Sequence, residues 1–438
     1  MRIIDVVKIV YKFIPKIIRE QFLLDPLIAL RDAKLRNRLA KTEVQVDMVD
    51  TAFSLVSSIE ELNCQSKLLF QNIDRSIKVT GPKLVIDSEE FIKSDIYTNL
   101  PDVKIYSINN VSVVGNTDVL IKDECFFNYN LSEMDSNHTI KRFNNISLIN
   151  DKKYSIKFNK SSQKHSSEKI YISLLDDNSR NYYHFVVETI PRFMLVIDIL
   201  KTNTNFNISD YIFLIDEVTP KQCLELLNIV AGCELDIEIV GESDEFYCDK
   251  LIHCSPLSYY LENSNNIPNT FKDCVIDVAA LKKIRDSVLS YPNIKAFKKF
   301  KCTKIYLPRL GNNWRKLDNN HQLETLMHRK GFEFVNTGTM SFMEQVSLFQ
   351  HADIIVGPSG ASFTNLLFMK AGAKVINISP SSSCMNYTFF QAIADVSNVD
   401  MALFLTTPST EDTTYVHAPS KIDITAFEAY INNILNKL

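Results

Sequence analysis

The sequence predicts an α/β protein made of two parallel-sheet halves, and three observations carry that expectation. From Lys169 to Ser290, and again from Lys304 to Ile378, short β-rich runs alternate with helical runs at the spacing of parallel α/β units. A lysine-rich stretch, 295–301, separates the two halves as a basic hinge. At 438 residues and 45% hydrophobic content, the chain can bury a core in each of two domains. The expected architecture is two Rossmann-like domains facing a cleft, with a β-rich lead-in and an N-terminal amphipathic helix. The expected boundaries are a basic helical segment at 1–45, a first domain with its lead-in at 46–295, a second domain at 296–410, and a tail with a helix at 411–438.

The elements follow in order. Residues 1–41 hold ten Lys/Arg against four Asp/Glu, so they carry +6 and the rest of the chain −10. Lys8, Lys12 and Lys16 recur every four residues beside Ile3, Ile4, Val7, Ile14, Ile17 and Ile18, with Pro15 as an interruption. Such a helix either lies on an anionic membrane surface or packs on the body with its lysines solvated. Residues 77–160 read as short strands, among them Lys83–Ile86, Val111–Val114 and Asp118–Ile121, with a turn at Gly115-Asn116. Strand Lys169–Leu174, a helix from Tyr182 to Leu200 containing Pro191, and strand Tyr211–Ile215 open the α/β rhythm. Thr219 is the expected N-cap and Pro220 the first position of a helix ending before Gly232. Strands at 237–240 and 251–254, a linker at 262–269 and a helix at 275–290 complete this half.

The second half reads as strand 304–307, helix 320–330, strand 332–335, helix 342–351, strand 353–356, helix 361–370 and strand 374–378, with a final helix from Ile424 to Leu435. Ser341-Phe-Met-Glu344 has the form of a capping box, although Glu344 can also be read as a ribose contact. The turn Gly357-Pro-Ser-Gly360 joins a buried strand to a helix start near Ala361. Backbone N–H groups and the helix dipole make such a turn a seat for phosphate. Arg309 and Arg315 follow the preceding strand, and guanidinium forks suit diphosphate oxygens. Ligands of open α/β sheets bind at the carboxyl ends of strands, which puts both arginines and the 357–365 turn at the cleft mouth. This is the pattern of a nucleotide-diphosphate site.

Other functions are constrained by composition. A net charge of −4 gives no reason to expect nucleic acid. No run of about twenty apolar residues suggests a membrane span, and the start lacks the form of a secretory signal. Nine scattered cysteines without a Cys-x-x-Cys pair read as reduced thiols in a cytoplasm, and no histidine spacing suits zinc. Asp216-Glu217, after a strand, is either a metal-holding acidic pair or a solvated strand end. His184 and Glu188 stand four apart and share a helix face. They form either a base held by a carboxylate, or a core histidine with Glu188 paired to Arg192.

From Asn181 to Pro380 the chain resembles the family 61 glycosyltransferases. The likeness rests on Tyr183-His184, Glu188 and Pro191-Arg192; on Arg309, Arg315 and Asn319; and on Gly357-Pro-Ser-Gly-Ala-Ser-Phe-Thr-Asn-Leu-Leu-Phe368. Ser359 stands where the family usually has His, and Asn320 where it has Glu; both departures bear on donor choice. The resemblance implies a GT-B fold and inverting transfer from a nucleotide sugar, usually UDP-linked, to a hydroxyl of a capsule or other surface glycan, with no essential metal or cofactor. It implies His184 as base with Glu188 supporting it or taking the role itself. Donor contacts would come from Arg309, Arg315, Asn319, Gly357, Ser359, Gly360, Ala361, Thr364 and Asn365. Trp314 can stack on the donor or cover the hinge. The expected setting is the cytoplasm, peripheral on the inner membrane face, where a lipid-linked acceptor lies. A pyruvyl or phosphoryl transferase, or a non-catalytic scaffold, are the alternatives.

Overall fold

The structure, a computed structural model, describes residues 47–62, 65–132, 142–143, 145–150, 153–160, 169–260, 274–292, 300, 302–309, 315–382, 385–410 and 417–438. The expected N-terminal helix, the expected 262–269 linker, most of the expected 295–301 hinge and Trp314 lie outside these. Met48–Leu438 form one compact unit, and its architecture is mixed α/β.

Two large sheets organise it. In the first, Ile237–Val240, Tyr211–Asp216, Ile170–Ser173 and Glu245–Cys254 run parallel, side by side in that order. The long strand Val103–Val114 then pairs antiparallel with Glu245–Cys254, Leu251 facing Ile108, and carries the sheet into the β-rich lead-in. In the second sheet, Glu333–Phe334, Lys304–Tyr306, Ile354–Pro358, Lys374–Pro380 and Asp400–Pro408 are parallel. Its far side comes from the lead-in: Lys83–Ile86 joins parallel to Asp400–Pro408, and Glu89–Ile92 closes the edge antiparallel. The parallel part of each sheet reverses its strand order once, beside Ile170–Ser173 in the first and beside Lys304–Tyr306 in the second. At such a reversal the connections leave in opposite directions, and a crevice opens past the carboxyl ends.

Strand alternation explains why the central runs are apolar throughout. Ile355 and Val375 face the cluster shared with the helices Phe342–His351 and Phe389–Ser397. Ile354, Val356 and Ile376 face the cluster under Asn320–Arg329 and Ile424–Leu435. With both faces covered, no polar alternation is needed. The first cluster is continuous across both halves, joining Phe193, Leu226 and Ile284 to Phe349, Leu366 and Ile393. Leu226 is fully buried, so Leu226→Ala would cost about 2–5 kcal/mol.

Several local expectations shift for clear reasons. The helix expected from Thr219 begins at Lys221, because Pro220 is extended at ψ 143; it ends as expected at Gly232, whose φ of 73 suits a residue without Cβ. The helix expected over 275–290 begins at Val278, where the Asp277 carboxylate caps the Ala280 N–H at 3.0 Å. Cys274–Val275 instead pairs with Tyr259–Tyr260. The Ser341–Glu344 capping box is formed, so Glu344 works as a cap. The segment expected as an α-helix over 361–370 is a 3₁₀ helix, Ala361–Phe368, whose first bond runs from the Phe363 N–H to the Gly360 carbonyl. Tyr182–Leu200 is helical with a π turn at Phe185–Thr189, placed where Pro191 cannot donate its N–H.

Candidate active site

The first sheet positions the His184–Glu188 pair. The chain leaves Ile170–Ser173 at its carboxyl end and turns into the helix at Tyr182, which Asn181 caps through the Tyr183 N–H at 3.0 Å. His184 Nδ1 lies 2.9 Å from Glu188 Oε1, so the i,i+4 pair spans the π turn. Both side chains are nearly covered, His184 at 12% and Glu188 at 10% exposure. Burial raises the Glu188 pKa, opposed by His184. With Glu188 ionised, its oxygen accepts the Nδ1 proton and Nε2 keeps the lone pair. The Tyr260 ring, past the carboxyl end of Glu245–Cys254, packs edge-on to His184 at 5.8 Å.

Arg192 does not pair with Glu188. Its guanidinium, fully buried, donates to Asp176 at 2.6 Å, Asp118 at 3.3 Å and the Leu175 carbonyl at 3.2 Å. These acids sit among Asp177 and Asp216 at the strand ends, and burial with mutual repulsion raises several of them. Asp118 and Asp216 are both raised to about 7, chiefly by burial, and Asp177 is raised as well. Burial and Arg192 lower His253, 3.8 Å from Asp118, to about 3, so it is neutral. Asp216 is not a solvated strand end. It is buried and accepts the N–H groups of Asn116 and Asp176, bracing two strand ends.

The second sheet contributes the cations. Arg309 follows Lys304–Tyr306 and donates to the Ser359 carbonyl at the end of Ile354–Pro358, across the strand reversal. Arg315 adopts a left-handed backbone at φ 55 and donates its N–H to the His417 carbonyl at 2.9 Å. That conformation is strained for a side chain of this size. Burial lowers both guanidinium pKa values, Arg309 to about 10 with Arg315 adding repulsion. Among the described residues neither has a carboxylate partner, and both Nε atoms are buried without a hydrogen bond. Arg315 is within electrostatic reach of Tyr260, which ties the cation pair to the ring that touches His184. Burial and the two arginines together hold His417 down at about 4.

The remaining turn residues divide. A Cβ on Gly357 would lie 2.6 Å from the Leu307 carbonyl, so only glycine lets these strand ends approach. Gly360 runs beside the Arg309 guanidinium. The Ser359 N–H is not available to an anion, because it donates to the Ile378 carbonyl at 2.7 Å. The Ala361 N–H precedes the first 3₁₀ bond. Thr364 is buried, its hydroxyl without a partner among the described residues. Asn365 is fully buried and occupied: it accepts from Tyr182 Oη at 2.7 Å and donates to Gln345 Oε1 at 2.7 Å. It latches the helix of His184 to the second half and offers no amide to a donor. Asn319 likewise binds the Ile422 backbone through both amide atoms, at 2.9 and 3.1 Å. Asn320 reaches Glu324 at 2.9 Å.

A sequence profile described as Glycosyltransferase 61 matches residues 182–376, a span that opens at the helix of His184 and closes within strand Lys374–Pro380. The chain is a glycosyltransferase. Over that region it resembles family 61, as the three motifs imply. No curated protein matches it. Among solved structures, the bacterial iron-containing dodecameric glycosyltransferase TibC from enterotoxigenic E. coli H10407 is similar at 10% identity, over 84% of this chain and 92% of that one, with a TM-score of 0.28. A likeness that slight carries no argument.

Sequence reasoning missed Tyr260, His417 and the Asp118–Asp176 cradle of Arg192 in this glycosyltransferase. None lies in a motif, and each reaches the site from a loop or a strand end. The one available signal was Ser173-Leu-Leu-Asp-Asp177, where two acids follow an apolar strand directly.

Proposed function

We propose that this glycosyltransferase moves a sugar, with inversion, from a UDP-linked donor to a hydroxyl of a capsule or other surface glycan, in a GT-B arrangement of two Rossmann-type domains. The observation that carries the reading is the pair Arg309 and Arg315. Two half-covered guanidinium groups that repel each other and lack a carboxylate partner among the described residues are stabilised by a dianionic ligand. They flank the strand reversal where a ligand of a parallel sheet binds. The Gly360 approach and the Ala361 N–H complete the phosphate seat.

The reaction then needs one base. His184 Nε2 takes the acceptor hydroxyl proton as that oxygen forms its bond to the anomeric carbon. The bond from that carbon to the donor phosphate breaks, and its electron pair leaves on the diphosphate. Glu188 holds the imidazole tautomer and stabilises the imidazolium. The arginine pair neutralises the leaving diphosphate, a task a divalent ion performs elsewhere, so transfer is expected to survive EDTA. Activity abolished by EDTA and restored by Mn²⁺ or Mg²⁺ would overturn that point.

Calorimetry with UDP tests the donor site. Wild type should bind, and Arg309→Ala should weaken binding by roughly 1.5–3 kcal/mol, the value of a charge-assisted contact. Unchanged affinity in a folded Arg309→Ala/Arg315→Ala protein would refute the assignment.

A further inference from the structure

Away from the arginine pair, a cavity of about 910 Å³ opens beside the first sheet, within the roughly 300–1,000 Å³ span of ligand clefts. One wall is the ribbon formed by Ser76–Val79 and Ile96–Asn99, in which Lys78 and Tyr97 are direct cross-strand partners. The Lys78 ammonium lies 5.9 Å from the Tyr97 ring centre, and Tyr97 is 76% exposed, a flat aromatic surface left in water. Tyr106, Phe127 and Tyr129 line the cavity from the sheet side. Charge in the lining balances, with Glu60 and Asp102 against Lys78 and Lys104, and Tyr106 Oη donates to Glu60 at 2.5 Å. The lining therefore combines aromatic faces with hydroxyl and amide groups, and favours neither sign of ligand.

This is carbohydrate chemistry. A pyranose presents an apolar C–H face that lies flat on an aromatic ring, and a rim of hydroxyls that needs hydrogen-bonding partners. The cavity wall is also linked to His184 through a chain of contacts. Ser255, in its lining, directly follows Glu245–Cys254 at the carboxyl end of that strand. Arg75, just before the ribbon, ion-pairs with Asp277. Asp277 follows the Cys274–Val275 strand, which pairs with Tyr259–Tyr260, and the Tyr260 ring meets His184 at 5.8 Å. The ribbon wall and His184 are thus braced through the Tyr259–Tyr260 and Cys274–Val275 strand pair. We infer that this groove is a subsite for a neutral stretch of the acceptor glycan, remote from the reacting hydroxyl, with Tyr97 as its stacking platform. The inference rests on the glycosyl-transfer reading above.

The test is saturation-transfer NMR on the full chain with cellohexaose, maltohexaose and chitohexaose as probes. At least one should receive saturation, and Tyr97→Ala should weaken its binding roughly 3–10-fold, the range of one aromatic contact. Tyr97 is exposed, so its truncation leaves the core intact. UDP binding by calorimetry should be unchanged in that variant, while Arg309→Ala/Arg315→Ala should lose UDP and keep the oligosaccharide. No transfer to any probe, or equal transfer in Tyr97→Ala, overturns the groove assignment. Loss of UDP binding in wild type with oligosaccharide binding intact would instead sink the donor reading and leave the groove standing.

Discussion

His184 carries the sharpest residue-level expectation, because its partner is in place: Nδ1 is 2.9 Å from Glu188 and the pair is nearly covered. If its Nε2 removes the acceptor proton, His184→Asn should lower turnover about 10²–10⁴-fold while UDP affinity stays near wild type. Near-normal turnover in that variant would pass the role to Glu188 or elsewhere. The i,i+4 spacing made this pair readable in sequence, since a helix alone sets its distance. Arg192, one turn further on, was not readable in the same way. Its partners Asp118 and Asp176 come from other elements, and nothing local announces them.

Between elements, two arrangements make predictions. Tyr182 Oη to Asn365 at 2.7 Å and Asn365 to Gln345 at 2.7 Å join the helix of His184, the 3₁₀ segment and Phe342–His351. Tyr182→Phe leaves Asn365 Oδ1 buried without its donor, which should cost about 1–3 kcal/mol of stability. Turnover should fall more than UDP affinity, since His184 stands two residues away; a thermal scan and steady-state kinetics check both. The acids at the strand ends predict a pH effect. Asp118 and Asp216 titrate near 7 in the folded protein and from 3.8 in the unfolded chain. Between those values the native state holds more protons, so stability falls as pH rises through that window. Each group contributes up to about 1.4 kcal/mol per pH unit. Melting temperature should accordingly decline from pH 5 to pH 7.5, and Asp216→Asn should flatten the slope. A slope that is unchanged in Asp216→Asn would remove that carboxyl as its source.

For the whole molecule, the uneven charge is the feature still to be tested. Residues 1–41 carry +6 against −10 elsewhere, and among the described residues no helix is long and apolar enough to cross a membrane. We expect the full chain to sediment with anionic vesicles and not with neutral ones, and a chain starting after Lys41 to stay in solution. Each basic residue near such a surface contributes about 1 kcal/mol, and salt should release the protein. Recovery of both forms in the supernatant at low salt would refute the docking. It would favour packing of that segment on the body, with a loss of stability on truncation.

Sequence alone settled what is local. The capping box at Ser341–Glu344, the Gly232 stop, the final helix Ile424–Leu435 and the strand Lys83–Ile86 follow from side-chain period, caps and φ preferences within a few residues. Tertiary structure decided where those pieces go. Lys83–Ile86 reads as a strand of the lead-in, yet it closes the second sheet against Asp400–Pro408, with Lys83 bonded to Asp400 across 317 residues. A parallel ladder is chosen by which edge lies open, which no window of sequence records. The same holds at the site. Gly357, Ser359 and Asn365 stand in one motif, but the Ser359 N–H is taken up by the sheet and Asn365 by Tyr182 and Gln345. Burial and hydrogen-bond occupancy belong to the neighbours that folding brings. They leave Arg309 and Arg315 without a carboxylate partner among the described residues.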